Sequence, residues 1–198
     1  MRATILCLAL IPAVAAAQTA PQPAPSAPRS KKVLTPDQIV YQAQMKTYYA
    51  ERDRLRDAAN SAYTAEMARE NAPECHNADN TVAINMCLSH EDDLTGANYK
   101  AFTSALRAML ALPQPTFPGE TTPYIGPSGR EATPATNTAA FDTAESAWQT
   151  YAKAQCDAVD TLWRGGTIVD AMDGECYLRQ ARARLHELND AYDMLLHH

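Results

Sequence analysis

Where proline does not occur is the strongest constraint on what this chain can fold into. All thirteen prolines lie outside three windows, 37–72, 74–112 and 135–198. Proline inside a helix removes a backbone donor and clashes with the preceding turn, so proline-free windows this long are where long helices can run. Composition points the same way. Alanine occurs 37 times, valine and isoleucine together only 12 times, and alanine favours helix where β-branched residues favour strand.

The first window opens with Thr35-Pro36-Asp37-Gln38, a capping box with proline at the first helical position. Tyr41, Met45, Tyr48, Leu55, Ala59 and Ala62 then recur at helical spacing, with Arg52 the one polar interruption. That pattern predicts an amphipathic helix to about Ala68. In the second window Val82, Leu94, Ala101, Ala105, Leu106, Met109 and Leu110 predict a helix over roughly 80–112, ended by Pro113 and weakened locally by Gly96. The third window breaks at Gly165-Gly166. Before the break Phe141, Ala144, Trp148, Tyr151, Gln155, Val159 and Leu162 form one stripe. After it Leu178, Ala181, Leu185, Leu188, Tyr192 and Leu195 form another, with Asp173 as the expected cap.

Four long helices with one apolar face each must bury those faces together, which predicts an all-α antiparallel bundle. Between the second and third helices, residues 113–137 hold six prolines and three glycines. This is too long for a tight link. Tyr124-Ile125 is its apolar knot, with Phe117 nearby, and the segment reads as a mobile excursion that serves as a functional loop or an insertion.

At the amino terminus Arg2 precedes an apolar stretch from Ile5 to Val14, and Ala15-Ala16-Ala17 follows. This is the pattern of a secretory signal cleaved after Ala17. Residues 18–34, rich in proline and alanine, read as a disordered linker. The expected organisation is therefore signal 1–17, linker 18–34, an amino-terminal helix over 35–72 and a helical domain over 73–198, in a periplasmic or secreted protein. Formal net charge is −6; losing Arg2 leaves 16 basic against 23 acidic residues, 16 − 23 = −7. An acidic chain lacks the basic stripe that nucleic acid requires. No apolar run reaches the roughly 18–20 residues of a membrane-spanning helix.

Without Cys7, four cysteines remain: Cys75, Cys87, Cys156 and Cys176. An even count in an oxidising compartment reads as two disulfides, with three pairings open. The local pairs Cys75–Cys87 and Cys156–Cys176 are favoured because each flanks a predicted turn or helix start. A zinc set of Cys75-His76 and Cys87-x-x-His90 is the alternative. Exported thiolates tend to oxidise, and the spacing matches no established finger.

Over about 75–190 the chain resembles a known family. Trp148, Tyr151 and Cys156 read W-x-x-Y-x-x-x-x-C, followed by Gly165-Gly166-Thr167, Cys176, Arg184, Glu187 and Leu188, with Cys75 and Cys87 upstream. This looks like the LprI-like lysozyme-inhibitor domain family of small, exported, cysteine-paired helical domains. The chain departs from the family pattern at Phe141–Glu145 and at Ala152-Lys153, and its Leu-Asn-x-x-Tyr equivalent around Asn98 and Phe102 is loose. The resemblance implies a binding protein whose partner is a lysozyme or another wall hydrolase.

Catalytic chemistry finds no support. No phosphate loop, nucleophile elbow or paired-histidine motif occurs, and no catalytic, cofactor or metal residue is assigned. His186 reads as a helix-surface histidine beside an apolar stripe, and His197-His198 as a frayed end. Acidic runs such as Glu91-Asp92-Asp93 and Asp157 with Asp160 read as solvated helix faces. The candidate binding surface is Trp163, Gly165, Gly166, Thr167 and Ile168, with Tyr124 in the proline-rich loop. A competing expectation is a structural or assembly protein acting through the 36–70 helix, whose Tyr41, Met45, Tyr48 and Leu55 are spaced nearly as a heptad.

Overall fold

Two of the four long helices begin with the same device, a threonine followed by proline at the first helical position. In a computed structural model, which describes residues 33–71, 74–120, 125, 129 and 131–198, Thr35 caps α1 (Pro36–Glu70). The Thr35 hydroxyl accepts from the Gln38 amide at 3.3 Å, and the Gln38 side chain accepts from the Thr35 amide at 3.0 Å. Thr133 and Thr136 repeat this reciprocal pairing at the start of α3 (Pro134–Trp163). Asn80 caps α2 (Thr81–Leu110) through the Ala83 amide at 3.0 Å. Such caps satisfy amides that have no partner inside the helix.

The last long helix, α4 (Val169–Ala191), departs from expectation. It starts at Ile168 with no side-chain cap, so Asp173 lies inside it rather than at its head. Gly165 adopts φ +85°, a conformation that glycine enters without steric cost. The chain therefore turns within a few residues of Trp163 and helix resumes at once. A one-turn α5 (Asp193–Leu196) and a 3-10 turn at Glu74–Asn77 complete the elements. The signal and all of the linker before Val33, and likewise Tyr124, lie outside the described residues.

Leu34–His198 form one unit, an antiparallel bundle. α2 packs on α1 and α4, and α3 packs on α4. The core joins Leu55, Ala59 and Ala62 of α1, Phe102, Ala105, Leu106 and Met109 of α2, Phe141 of α3, Leu185 and Leu188 of α4, and Leu196. α1 spans roughly 50 Å at 1.5 Å per residue, and only its second half lies along α2. On its first half, where most positions are exposed, one face meets the segment leaving α2. Phe117 meets the Tyr41 ring edge-on at 5.5 Å, and Leu112, Pro113 and Pro115 close a groove of about 460 Å³ against Ala43, Thr47 and Tyr48. The start of the proline-rich loop is thus a packed strap rather than an excursion, because Tyr41 and Tyr48 offer it apolar surface. Farther on, Ile125 and Glu131 form an isolated antiparallel bridge.

Two of the sequence stripes needed correction. On α3 the buried positions are Phe141, Glu145, Ala152 and Cys156, not the line through Ala144, Tyr151, Gln155 and Leu162, which faces outward. On α2, Phe102 is fully buried while Val82 and Ala101 are exposed. The cause on α3 is electrostatic. Glu145 is drawn inward by Arg184, whose Nε and terminal nitrogen donate to it at 3.0 and 2.6 Å, and by the Tyr99 hydroxyl.

A second buried ionic cluster ties α1, α2 and α4 together. Glu66, with no exposed surface, accepts from Thr95 at 2.6 Å, Asn98 at 2.9 Å and Arg182 at 2.7 Å. Glu91 pairs with Arg69 at 2.5 Å and Arg182 at 3.3 Å. Glu91 is therefore buried, where the Glu91-Asp92-Asp93 run had read as a solvated face. His186 is half-exposed on α4, as expected, and bridges to α1: its ring nitrogens lie 3.0 Å from the Tyr63 hydroxyl and 2.9 Å from Glu70.

Candidate functional site

Both disulfides sit at one end of the bundle. Cys75–Cys87 joins the 3-10 turn to the first turns of α2, and Cys156–Cys176 joins the end of α3 to the start of α4, each with Cα atoms 5.7 Å apart. These are the local pairings favoured from sequence. They remove the zinc alternative, since Cys75 and Cys87 are bonded to each other. Among the described residues no group of three or more His, Cys, Asp or Glu is placed to hold a metal ion.

The Cys156–Cys176 bond is fully buried and lies just behind the α3–α4 turn. In that turn Gly166 N–H donates to the Trp163 carbonyl at 3.0 Å. Gly166 also runs close to that carbonyl, and a Cβ there would approach the oxygen to 3.2 Å. The two glycines thus let a tight reversal project its flanking side chains. Leu162 is 77% exposed, Trp163 41% and Ile168 39%. Trp163, Gly165, Gly166, Thr167 and Ile168, singled out from sequence, do form one exposed turn.

The other tryptophan has a different role. Trp148 is half-buried, packs on Tyr99 with ring centroids 5.2 Å apart, and lies under the Arg184 guanidinium at 5.9 Å. Arg184 also reaches Glu187 at 2.8 Å. Residues that carry the sequence resemblance, Trp148, Arg184, Glu187 and Leu188, therefore build the α2–α3–α4 junction rather than an open site. Burial first, then the hydrogen bond to Glu145, raises the Tyr99 phenol far above its ordinary range, so it stays a neutral donor. Tyr151, placed on the core stripe with Trp148, is instead 57% exposed.

Carboxylates that look scattered in sequence converge beside the turn. Asp173 on α4 is close enough to Asp160, Asp157 and Asp170 to feel their charge, and Asp92 on α2 feels Asp93 and Asp173. Lost hydration first, and these like charges second, push both Asp92 and Asp173 above the usual aspartate range. Lys153 pairs with Asp157 at 2.6 Å and Arg164 with Asp160 at 3.5 Å, leaving the group net negative. The sequence signal was present: Asp157/Asp160 and Asp170/Asp173 each sit one helical turn apart on either side of the double glycine.

Glu66 moves in the opposite direction. Burial alone would raise it, but hydrogen bonds from Thr95, Asn98 and Arg182 outweigh that and hold it below the usual glutamate range. A carboxyl raised in the folded state binds its proton more readily there, so folding gains as pH falls into its window; one that is lowered loses stability as pH falls through its folded value. Thermal stability should therefore rise modestly as pH drops from 7 toward about 4, where free carboxyls begin to titrate, and fall below that as Glu66 protonates. Asp92→Asn with Asp173→Asn should flatten the rise without removing the fall. Melting temperatures across pH 3–7 check this, and a rise of equal size in wild type and variant would contradict it.

Fold and surface together define a small disulfide-bonded helical body with one exposed apolar turn. A family model described as lysozyme inhibitor LprI matches residues 56–188, about two thirds of the chain, and the chain belongs to that family. It is a family of inhibitors rather than of catalysts. The match begins inside α1, taking in its packed second half. Neither a curated protein nor a solved structure matches the chain.

Proposed function

We propose that this protein is an exported, non-catalytic inhibitor that binds a lysozyme or a related wall hydrolase and blocks its substrate cleft. Membership of the lysozyme inhibitor LprI family carries this reading. The bundle supplies what such an inhibitor needs: a stapled body and a projecting turn, Trp163 to Ile168, able to enter a cleft. Export follows from the amino-terminal signal, cleaved after Ala17. Two disulfides fit an oxidising compartment, and no described helix is long and apolar enough to cross a membrane.

Titrating the purified protein into lysozyme acting on cell-wall substrate should lower the lytic rate until the two are equimolar. An unchanged rate at micromolar excess removes the reading.

One observation favours a second role, assembly through helix pairing. The outer face of α3 carries Ala144, Ala147, Tyr151, Ala154, Ala158 and Leu162 at three- and four-residue steps, all exposed. Pairing could then run through α3 as well as through α1, whose Leu55 faces the core and whose Tyr41 and Tyr48 are half-buried but whose Ile39 and Val40 are exposed. A monomer by light scattering at high protein concentration would exclude it.

A further inference from the structure

The inhibitor reading leaves open which surface meets the hydrolase and what chemistry selects it. Three exposed regions compete. The groove between α1 and the Leu112–Pro115 strap is apolar, but nothing on that face indicates what would occupy it. The open hollow around Asn85, Met86, Ser89 and His90 is shallow, and although Asn85 Oδ1 is buried without a hydrogen-bond partner among the described residues, Asn85 itself is only partly buried and no second group converges with it on a ligand. The α3–α4 turn differs, because exposed apolar side chains there are bordered by charged groups whose balance, even with Lys153 and Arg164, is negative.

We propose that Leu162, Trp163 and Ile168 dock on a basic protein, with the carboxylates of Asp92, Asp157, Asp160, Asp170 and Asp173 complementing cationic side chains around the partner's apolar contact. This rests on the inhibitor reading and names the surface and the class of partner. The turn presents a tryptophan and two aliphatic side chains within seven residues. A large aromatic beside aliphatic groups is the usual composition of an energetic centre in a protein contact, and charged groups belong at its rim.

The rim decides the partner. Among the described residues Asp92, Asp93, Asp170 and Asp173 form no salt bridge, with Lys153 offsetting part of the charge around Asp173, and Asp157 and Asp160 have one basic partner each. Carboxylates from three helices thus lie close enough to repel one another in the free protein; lost hydration first, and this repulsion second, raise the affinity of Asp92 and Asp173 for a proton. A cationic partner relieves that repulsion on arrival and gains attraction at long range; an acidic partner would add to it. The Cys156–Cys176 bond holds the turn and both acidic helix ends in one geometry, so the surface is largely formed before contact.

The test uses the oxidised full-length protein and a strongly basic lysozyme, with binding followed by calorimetry and association rate by stopped flow. Leu162→Ala with Trp163→Ala should weaken binding at least about tenfold through faster dissociation. Replacing Asp157, Asp160, Asp170 and Asp173 together with asparagine should slow association at least about tenfold and flatten its dependence on salt. Asp57→Asn with Asp193→Asn, which removes equal-sign charge from exposed sites elsewhere, should leave binding unchanged. Circular dichroism of each variant checks that the helices persist.

If wild type and both turn variants bind alike, this surface is overturned and the inhibitor reading stands. If the turn variants lose binding while wild type binds but leaves the lytic rate intact, the surface stands and inhibition falls. Absence of binding by wild type overturns both.

Discussion

Glu66→Ala is expected to destabilise the fold by about 3–5 kcal/mol, the range seen when one partner of a buried ion pair is removed. Glu66 has no exposed surface and is the acceptor for Thr95, Asn98 and Arg182 from two other helices. Removing it leaves the Thr95 hydroxyl without its acceptor in the interior and leaves Arg182 only the longer contact to Glu91 at 3.3 Å. Total stability of a domain this size is on the order of 5–15 kcal/mol, so a large share of it is lost. Urea titration followed by circular dichroism measures the change. Glu66→Leu combined with Arg182→Leu should recover much of the loss, because replacing a whole buried pair by apolar groups removes desolvation as well as attraction. A shift of less than about 1 kcal/mol in Glu66→Ala would mean that this cluster does not hold α1 to α2 and α4.

Cys156→Ser with Cys176→Ser is expected to cost about 3 kcal/mol from the freed loop of 20 residues. Two hydroxyls then sit where both sulfurs had at most 1% exposure, which adds to the cost. The effect on binding should exceed that of losing Cys75–Cys87, although its loop of 12 residues predicts similar stabilisation. The reason is position: only Cys156–Cys176 ties together the two helix ends that present Leu162, Trp163 and Ile168. Comparing denaturation midpoints and lysozyme inhibition for the two double variants checks both halves. Equal loss of inhibition in the two would separate the turn from the function.

The four long helices, the breaks at Pro113 and at Gly165-Gly166, and the local cysteine pairs were legible because proline, glycine and capping residues act locally, whereas the one-turn α5 was not foreseen. Thr35-Pro36 needs no tertiary information to start a helix. The face that α3 buries was not legible, because Glu145 takes a core position only when Arg184 arrives from 39 residues away. Hydrophobic periodicity treats Glu66, Glu91 and Glu145 as outward residues. Each is buried through cations or hydroxyls on other helices, a pairing that a single strand of text does not display. The same limit hid the part of the acidic rim that α2 supplies, whereas Asp157/Asp160 and Asp170/Asp173 stand visibly on either side of the double glycine. Asp92 lies far from Asp173 in sequence, and only the packing of α2 on α4 makes them neighbours. The turn itself was visible, since Trp163 before a double glycine announces an aromatic side chain at a reversal.

The proposed inhibitor role rests on export and on oxidation outside the cytosol. Intact mass and thiol titration on protein isolated, without reductant, from its own cell test this in a single preparation. The account predicts a chain beginning after Ala17 that carries no reactive thiol. A chain retaining residues 1–17 with Cys75, Cys87, Cys156 and Cys176 all titratable would contradict it.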